Sequence, residues 1–295
     1  MVLGIIANTG KSSISQVVTK VLSYLDDRGV PYVLSSDLKT ILPVRNGRWN
    51  DPFRLGEDVD VVLSFGGDGT FLQTVRKVAQ YSVPILGINL GGFGYLAEVT
   101  ADNLYPRLDD LLAGRFFVEE RMMLTVEKGS AEEPLISALN DIVVDKGGYP
   151  RTIRLIVKVD GEYLNEFVGD GLIFATPTGS TAYSLSAGGP ILEPSSEGII
   201  VNPICPHMLA HRPLLLSPHR RIEVTAFSEE NKVNLNADGQ HITCIPSGES
   251  LVIHRASLTA RVITFGQPTF FELLRNKLQW RAGYNVSSVS IPPID

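Results

Sequence analysis

Gly66-Gly67-Asp68-Gly69-Thr70 is the stretch of this 295-residue sequence best suited to chemistry. Glycines let a backbone approach a phosphate with no Cβ in the way. A helix starting directly after such a loop adds unpaired N–H groups and a positive dipole end, both suited to anions. Asp68 is the misfit, because a carboxylate repels phosphate. It makes sense as the acceptor of a hydroxyl proton, or as a ligand holding Mg²⁺ against phosphates. The plainer alternative is a glycine turn with a helix-capping aspartate. Five such residues between an apolar run and a helical pattern favour function.

Three further groups stand out. Asn89-Leu90-Gly91-Gly92-Phe93-Gly94 also follows an apolar run. It reads equally as a second ligand-lining loop or as a tight glycine connection. Thr176-Pro177-Thr178-Gly179-Ser180-Thr181-Ala182-Tyr183-Ser184-Leu185-Ser186-Ala187-Gly188-Gly189-Pro190 packs hydroxyls among small residues, between apolar runs. Hydroxyls such as Thr178 and Ser180, with free amides, can read ribose and amide groups, and Tyr183 can pack on a ring. This is read as a binding loop rather than a surface tract. Asn140-Asp141 lies inside the apolar run Leu139 to Val144. Burial of these two needs partners, which a diol would supply; one solvent-facing and one edge residue is an equal reading.

The elements that must position these groups follow from periodicity. Val2–Ala7, Pro31–Leu34, Val59–Phe65 and Pro84–Ile88 read as buried strands, and Lys39–Asp58 as a loop. Ile14 to Leu25, Phe71 to Ala79 and Leu104 to Leu112 have helical spacing, with Gly29 and Gly114 as stops. The alternation implies an α/β portion, residues 1–114, with a mostly parallel sheet carrying the Gly-Gly-Asp-Gly-Thr loop. Residues 115–295 instead show extended and alternating runs. Asp160-Gly161 and Asp238-Gly239 mark hairpin turns, and Leu251–Ile253 and Ala260–Ile263 continue the series of strands. That portion reads as a β-sandwich-like domain with a late helix at Phe270 to Leu278 and a tail from Ala282.

Composition narrows the class. A net charge of -6 and scattered arginine pairs argue against a nucleic-acid binder. The two cysteines, Cys205 and Cys244, frame no disulfide scaffold, and Cys205-Pro206-His207 with His211 lacks the second pair a zinc site wants. No metal-ligating set is assigned. The apolar N-terminus is too short for a signal peptide, and no run reaches membrane-spanning length. The expected location is the cytoplasm, with no membrane partner.

The order and spacing of Gly66–Thr70, Asn89-Leu90-Gly91, Asn140-Asp141, Asp170-Gly171 and Thr176–Pro190 resemble the NAD kinase family. Asn202-Pro203-Ile204-Cys205-Pro206-His207 and Arg212-Pro213-Leu214 are similar to it too. The glycine signature alone is shared with lipid kinases; the long Thr-Pro-Thr-Gly-Ser-Thr-Ala-Tyr run is far more specific. The resemblance covers Val59 to about Leu278. It implies phosphoryl transfer from ATP to the adenosine-ribose 2′-hydroxyl of NAD, giving NADP, with Mg²⁺ or another divalent cation. It also implies a homodimer or homotetramer. Asp68 matches the catalytic aspartate, beside Gly66, Gly67, Gly69, Thr70 and Asn89. Asn140 and Asp141 match the pair that holds NAD, and Asp170 an acidic residue near the nicotinamide amide. Thr181, Ala182, Tyr183 and Ser186 match the NAD-contacting loop; Arg151 and Gln240 match further contacts.

Two positions depart from the family. Asp141 stands where Glu is usual, shorter by one methylene, and Gln73 stands where a cation is common. Two other classes share part of the pattern: a lipid kinase, which would show an apolar groove, and a dinucleotide sensor without chemistry.

Overall fold

The computed structural model describes residues 1–10, 12–42, 47–91, 94–129 and 134–280. Gly92 and Phe93 of the second glycine loop, and the tail from Ala282, lie outside the described residues.

The apolar runs of the first third become parallel strands because each is buried on both faces. Leu3–Ala7 pairs with Tyr32–Ser35 on one side and Val61–Phe65 on the other, and Val61–Phe65 pairs with Ile85–Asn89. Alternate side chains point to opposite faces. Ile5, Leu63 and Leu86 pack with Val18, Leu22, Leu104 and Leu108 of the helices Ser12–Asp27 and Leu104–Leu112. Ile6, Val62 and Ile85 pack with Phe71, Leu72 and Val75 of the helix Asp68–Val78. The polar stretch between Lys39 and Asp58 is entered by the 3₁₀ turn Ser36–Thr40, and its described residues also form the two-residue strand Trp49–Asn50 and the 3₁₀ turn Leu55–Glu57. It is not featureless because Leu38 and Leu55 are fully buried and pin it to the body.

Beyond Gly114 the pairing is antiparallel. One sheet orders Leu214–Leu216, Ile199–Ile204, Gly171–Ala175, Asp141–Asp145, Lys232–Ala237 and Gln240–Pro246. It faces the strands Phe117–Lys128, Ile153–Val159, Ile222–Phe227 and Ser250–Thr264. Leu124, Leu155 and Ile253 from one side and Ile142, Phe174 and Leu235 from the other share one core. This is the sandwich expected from alternation, here with an antiparallel sheet in each layer.

The apolar runs at Leu251–Ile253 and Ala260–Ile263 belong to one 15-residue strand, Ser250–Thr264, rather than two. The polar interruption between them is a register shift between Arg255 and Thr259 against Phe117–Lys128, not a turn. Near its end Val262 pairs in parallel with Ile85. A single 12-stranded sheet therefore continues from the parallel strands into the antiparallel ones. The chain divides into a unit Met1–Phe265 and a smaller unit Gly266–Asp295. The smaller unit holds the helix Phe270–Lys277, opened by a capping box between Thr269 and Glu272. Among the described residues no helix is long and apolar enough to cross a membrane.

Candidate active site

The Gly66–Thr70 loop sits at the carboxyl end of the strand Val61–Phe65, where open α/β sheets bind ligands. Asp68 is the first residue of the helix Asp68–Val78, and no side chain caps that end. The helix is locked to the strand beneath it: Ser64 and Thr74 share a buried hydroxyl hydrogen bond of 2.8 Å, and Thr74 Oγ1 donates to the Thr70 carbonyl. Gly66 is buried against Thr70, whereas Gly67 and Gly69 face open space. The backbone of Gly94, Tyr95 and Leu96 lies against this end. Tyr95 N–H donates to Asp68 Oδ2 at 2.9 Å and Leu96 N–H to Oδ1 at 3.1 Å. A Cβ on Gly94 would come 2.1 Å from Asp68 Oδ1, so only glycine permits this approach. Burial, then the nearby Asp68 charge, raises the Tyr95 phenol above its ordinary range. Asn89 accepts from Gly91 N–H at 3.0 Å and so shapes its own loop.

A pocket of roughly 420 Å³ opens beside the same helix, lined by Leu72, Asn140, Asp141, Val143, Asp145, Ala182, Tyr183, Asn236, Asp238 and Gly239. That volume lies in the range of small-molecule sites. Asn140, Asp141, Ala182 and Tyr183, from two separate sequence motifs, share this cavity. Asp141 is 3% exposed, and its carboxylate has no hydrogen-bond or ion-pair partner among the described residues. Burial, with the Asp238 charge second, pushes Asp141 up to about 7. Asp145 accepts from Gly147 N–H and from Asn236 Nδ2, each at 2.6 Å, yet burial still raises it. Tyr183 is raised chiefly by burial, then by Asp145, Cys205, Asp170 and Asp141. A cavity rich in carboxylates recognises donors: hydroxyls, amines and amides, not phosphates.

The Thr176–Pro190 segment is a 3₁₀ turn, Thr178–Thr181, and a single helical turn, Tyr183–Ser186. Its early hydroxyls hold the loop itself. Thr176 Oγ1 donates to the Leu139 carbonyl at 2.6 Å and accepts from Gly179 N–H. Ser180, fully buried, exchanges hydrogen bonds with the Leu192 backbone. A Cβ on Gly179 would come 2.0 Å from the Asn140 carbonyl oxygen, so the loop can lie this close to Asn140 only with glycine there. Thr178 Oγ1 is buried and has no hydrogen-bond partner among the described residues. Ala182 and Tyr183 reach the pocket; Ser186 is exposed and does not line it.

Three anticipated positions are engaged elsewhere. Asp170 pairs with Lys146 Nζ at 2.8 Å. Arg151 is exposed and pairs with Glu229. Gln240 accepts from Arg76 Nη1 at 2.8 Å. Sequence reasoning missed Asp145, Asn236 and Asp238 in the pocket wall. Asp238 was visible only as half of a turn dipeptide. Asp145 and Asn236 meet through the pairing of Asp141–Asp145 with Lys232–Ala237, which no local pattern reveals.

Comparison with known proteins gives a consistent result. A family model described as the ATP-NAD kinase N-terminal domain matches residues 3–116, and one described as the ATP-NAD kinase C-terminal domain matches residues 139–265. The NAD kinase of Desulforamulus reducens is 38% identical over 284 residues, covering 95% of this chain and 98% of its own. That of Moorella thermoacetica is 40% identical over 282 residues, covering 94% of this chain and 89% of its own. Among solved structures, an NAD kinase from Archaeoglobus fulgidus in complex with ATP aligns with a TM-score of 0.75 at 27% identity, over 95% of this chain and 99% of that one. Yeast NADH kinase complexed with NADH aligns at 0.86 and 24% identity, over 97% and 89%, which speaks for the fold.

Proposed function

The chain belongs to the NAD kinase family, and on that footing we propose which of its residues carry the transfer of a phosphoryl group from ATP to NAD. The reading rests on one observation above all. Asp68, fixed by the Tyr95 and Leu96 amides, heads the helix whose Leu72 lines the acid-walled pocket.

The portion 1–114 presents the donor side. The glycine loop and the uncapped helix end offer amide hydrogens to the triphosphate of ATP. The portion 115–295 presents the dinucleotide side. Asn140, Asp141 and the Ala182-Tyr183 turn hold NAD, with Asp141 accepting from the adenosine-ribose diol and Tyr183 covering a ring. Arg151, Asp170, Thr178, Thr181, Ser186, Asn89 and Gln240 stay in the proposal as further contacts on the strength of the resemblance.

Phosphoryl transfer needs positioning and charge neutralisation more than covalent help. Asp68 takes the proton of the 2′-hydroxyl as that oxygen attacks the γ-phosphorus. The P–O bond to the leaving ADP breaks, and NADP is released. The donor set fits a divalent cation bound mainly by substrate: among the described residues no cluster of His, Cys, Asp or Glu forms a cage. Mg²⁺ commonly keeps water and takes one or two carboxylates plus substrate phosphates. Asp68 would share it, and the cation would supply charge neutralisation on the triphosphate. We place the protein in the cytoplasm and expect a homodimer or homotetramer. A lipid acceptor is disfavoured by the carboxylate-lined wall.

The test is NADP formation from NAD, ATP and Mg²⁺, read with an NADP-specific dehydrogenase. Asp68→Asn keeps one acceptor oxygen for the Tyr95 or Leu96 amide and turns the other into an NH₂ that cannot accept, so melting curves accompany the assay. The variant should lose roughly 10²–10⁴ in kcat, the usual contribution of a positioned base. Near-normal turnover of the folded variant would remove Asp68 from this role.

A further inference from the structure

The helix that begins with Asp68 is fastened to the far wall of the pocket by one side chain. Arg76 Nη1 donates to Gln240 Oε1 at 2.8 Å, and Nη2 donates to the Ala237 carbonyl at 3.0 Å. Nη2 also lies 3.8 Å from Asp238 Oδ2. The Asp238 side chain is only 2% exposed. Its carboxylate accepts from Leu139 N–H at 3.1 Å and Asn140 N–H at 2.7 Å. Asp141 N–H adds a longer contact of 3.4 Å to the same oxygen that Asn140 uses. Asp238 N–H in turn donates to the Asp141 carbonyl. Leu139, Asn140 and Asp141 lead into the strand that supplies the pocket wall.

Residues four apart on a helix lie about 40° apart around its axis. Asp68, Leu72 and Arg76 therefore run down one stripe of the helix. The first carries the chemistry, the second lines the pocket and the third grips the Asp238-Gly239 turn. A guanidinium is a rigid planar fork, so it fixes angle as well as distance.

We propose that Arg76, through Asp238, is a positioning residue that sets the helix bearing Asp68 in register with the dinucleotide pocket. The proposal rests on the reading of Asp68 and the pocket given above. It says that Arg76 touches neither nucleotide and acts on the distance between the Asp68 carboxylate and the acceptor hydroxyl. An error of about 1 Å in such placement can cost 10²-fold in rate.

The experiment compares Arg76→Met, Arg76→Lys, Asp238→Asn and the double variant Arg76→Met/Asp238→Asn in the full chain. Melting curves confirm folding, and kcat and both KM values are measured with NAD and ATP. Arg76→Met is expected to lower kcat roughly 10- to 100-fold, with the KM for ATP within about twofold of the parent. Arg76→Lys should recover part of the loss, since it restores charge without the fork. The double variant should be no slower than the slower single one, the signature of residues acting as a unit. Unchanged kcat in folded Arg76→Met, or simple multiplication of the two losses, would overturn the proposal. Should Arg76→Met not fold, Arg76→Lys decides: a reduced kcat at constant ATP KM supports it, and parental kinetics defeat it. Asp68→Asn assayed alongside separates the two levels. If that variant keeps its turnover, the chemical assignment has failed, whereas an inactive Asp68→Asn beside a fully active Arg76→Met defeats the positioning role alone.

Discussion

Two Asp-Gly turns in this molecule share a dipeptide and a backbone shape but not an environment. Asp160 and Asp238 have φ of 50° each, and Gly161 and Gly239 have φ of 84° and 70°. Both close hairpins in the manner expected of Asp-Gly. Asp160 lies at the surface, where it accepts from Arg221 N–H at 2.9 Å and Arg220 Nη1 at 2.6 Å. Those hydrogen bonds, the Arg221 amide first, hold its carboxyl below the ordinary range. Asp238 is raised instead, because burial outweighs the amides of Asn140 and Leu139 and the charge of Arg76. Turn chemistry fixes the backbone of such a pair. What the aspartate does depends on which elements fold over it.

The largest expected divergence comes from deleting each carboxylate. Asp238→Ala would leave the Leu139 and Asn140 amides without their acceptor in a buried site and take the nearby carboxylate charge from Arg76, which keeps Gln240 and the Ala237 carbonyl. Each buried amide left without an acceptor costs about 1–3 kcal/mol. A large fall in melting temperature and loss of kinase activity are expected. Asp160→Ala should leave activity where it is and lower the melting temperature far less, since exposed pairs contribute little and only the left-handed turn position suffers. Equal behaviour of the two in parallel thermal melts would break the comparison.

A middle-sized effect concerns pH. Asp141 sits at about 7 in the folded chain, above its ordinary value of 3.8. Between those values the folded state binds the extra proton, so stability falls as pH rises from about 4 to about 7 and stays lower above that. Asp141→Asn should therefore be relatively more stable than the parent at pH 8, by a few kcal/mol, and nearly equal to it at pH 4. Denaturant titrations at the two values measure this. Dinucleotide affinity should run the other way. The ionised carboxylate is the better acceptor for a ribose diol, so the Kd for NAD should drop as pH rises through about 7. Calorimetry without ATP reads it, and a flat profile in the parent would remove Asp141 from the diol.

The smallest effect should be shared. Gly161→Ala and Gly239→Ala each force a side chain into a left-handed conformation costing about 1–2 kcal/mol. The two losses of stability should match, because the cost is in the backbone.

The same contrast shows how far the sequence could be read. The Gly66–Thr70 loop was legible because its meaning is local: strand, turn and helix follow one another in the chain. Asn140, Asp141, Ala182 and Tyr183 were legible as a family pattern, and the structure gathers them around one pocket. Arg76 was hidden, because a single arginine in a helical run looks like an exposed face until a turn more than 160 positions away meets it. Asp145 and Asn236 needed the strand register, and a one-residue slip would have separated them. The strand Ser250–Thr264 was divided in reading because its bulge looked like a break. Thr176 and Ser180 drew notice as hydroxyls among small residues, and their bonds go to the Leu139 carbonyl and the Leu192 backbone.

The strand Ser250–Thr264 joins both halves of the long sheet, with partners among the antiparallel strands and the parallel Ile85–Asn89. A hinge needs a seam that few backbone hydrogen bonds cross, and the join of this strand to Ile85–Asn89 is one, a single paired position, Val262 with Ile85, between two long ladders. Closure around two bulky substrates would flex the sheet at that one join and leave the ladders on either side whole.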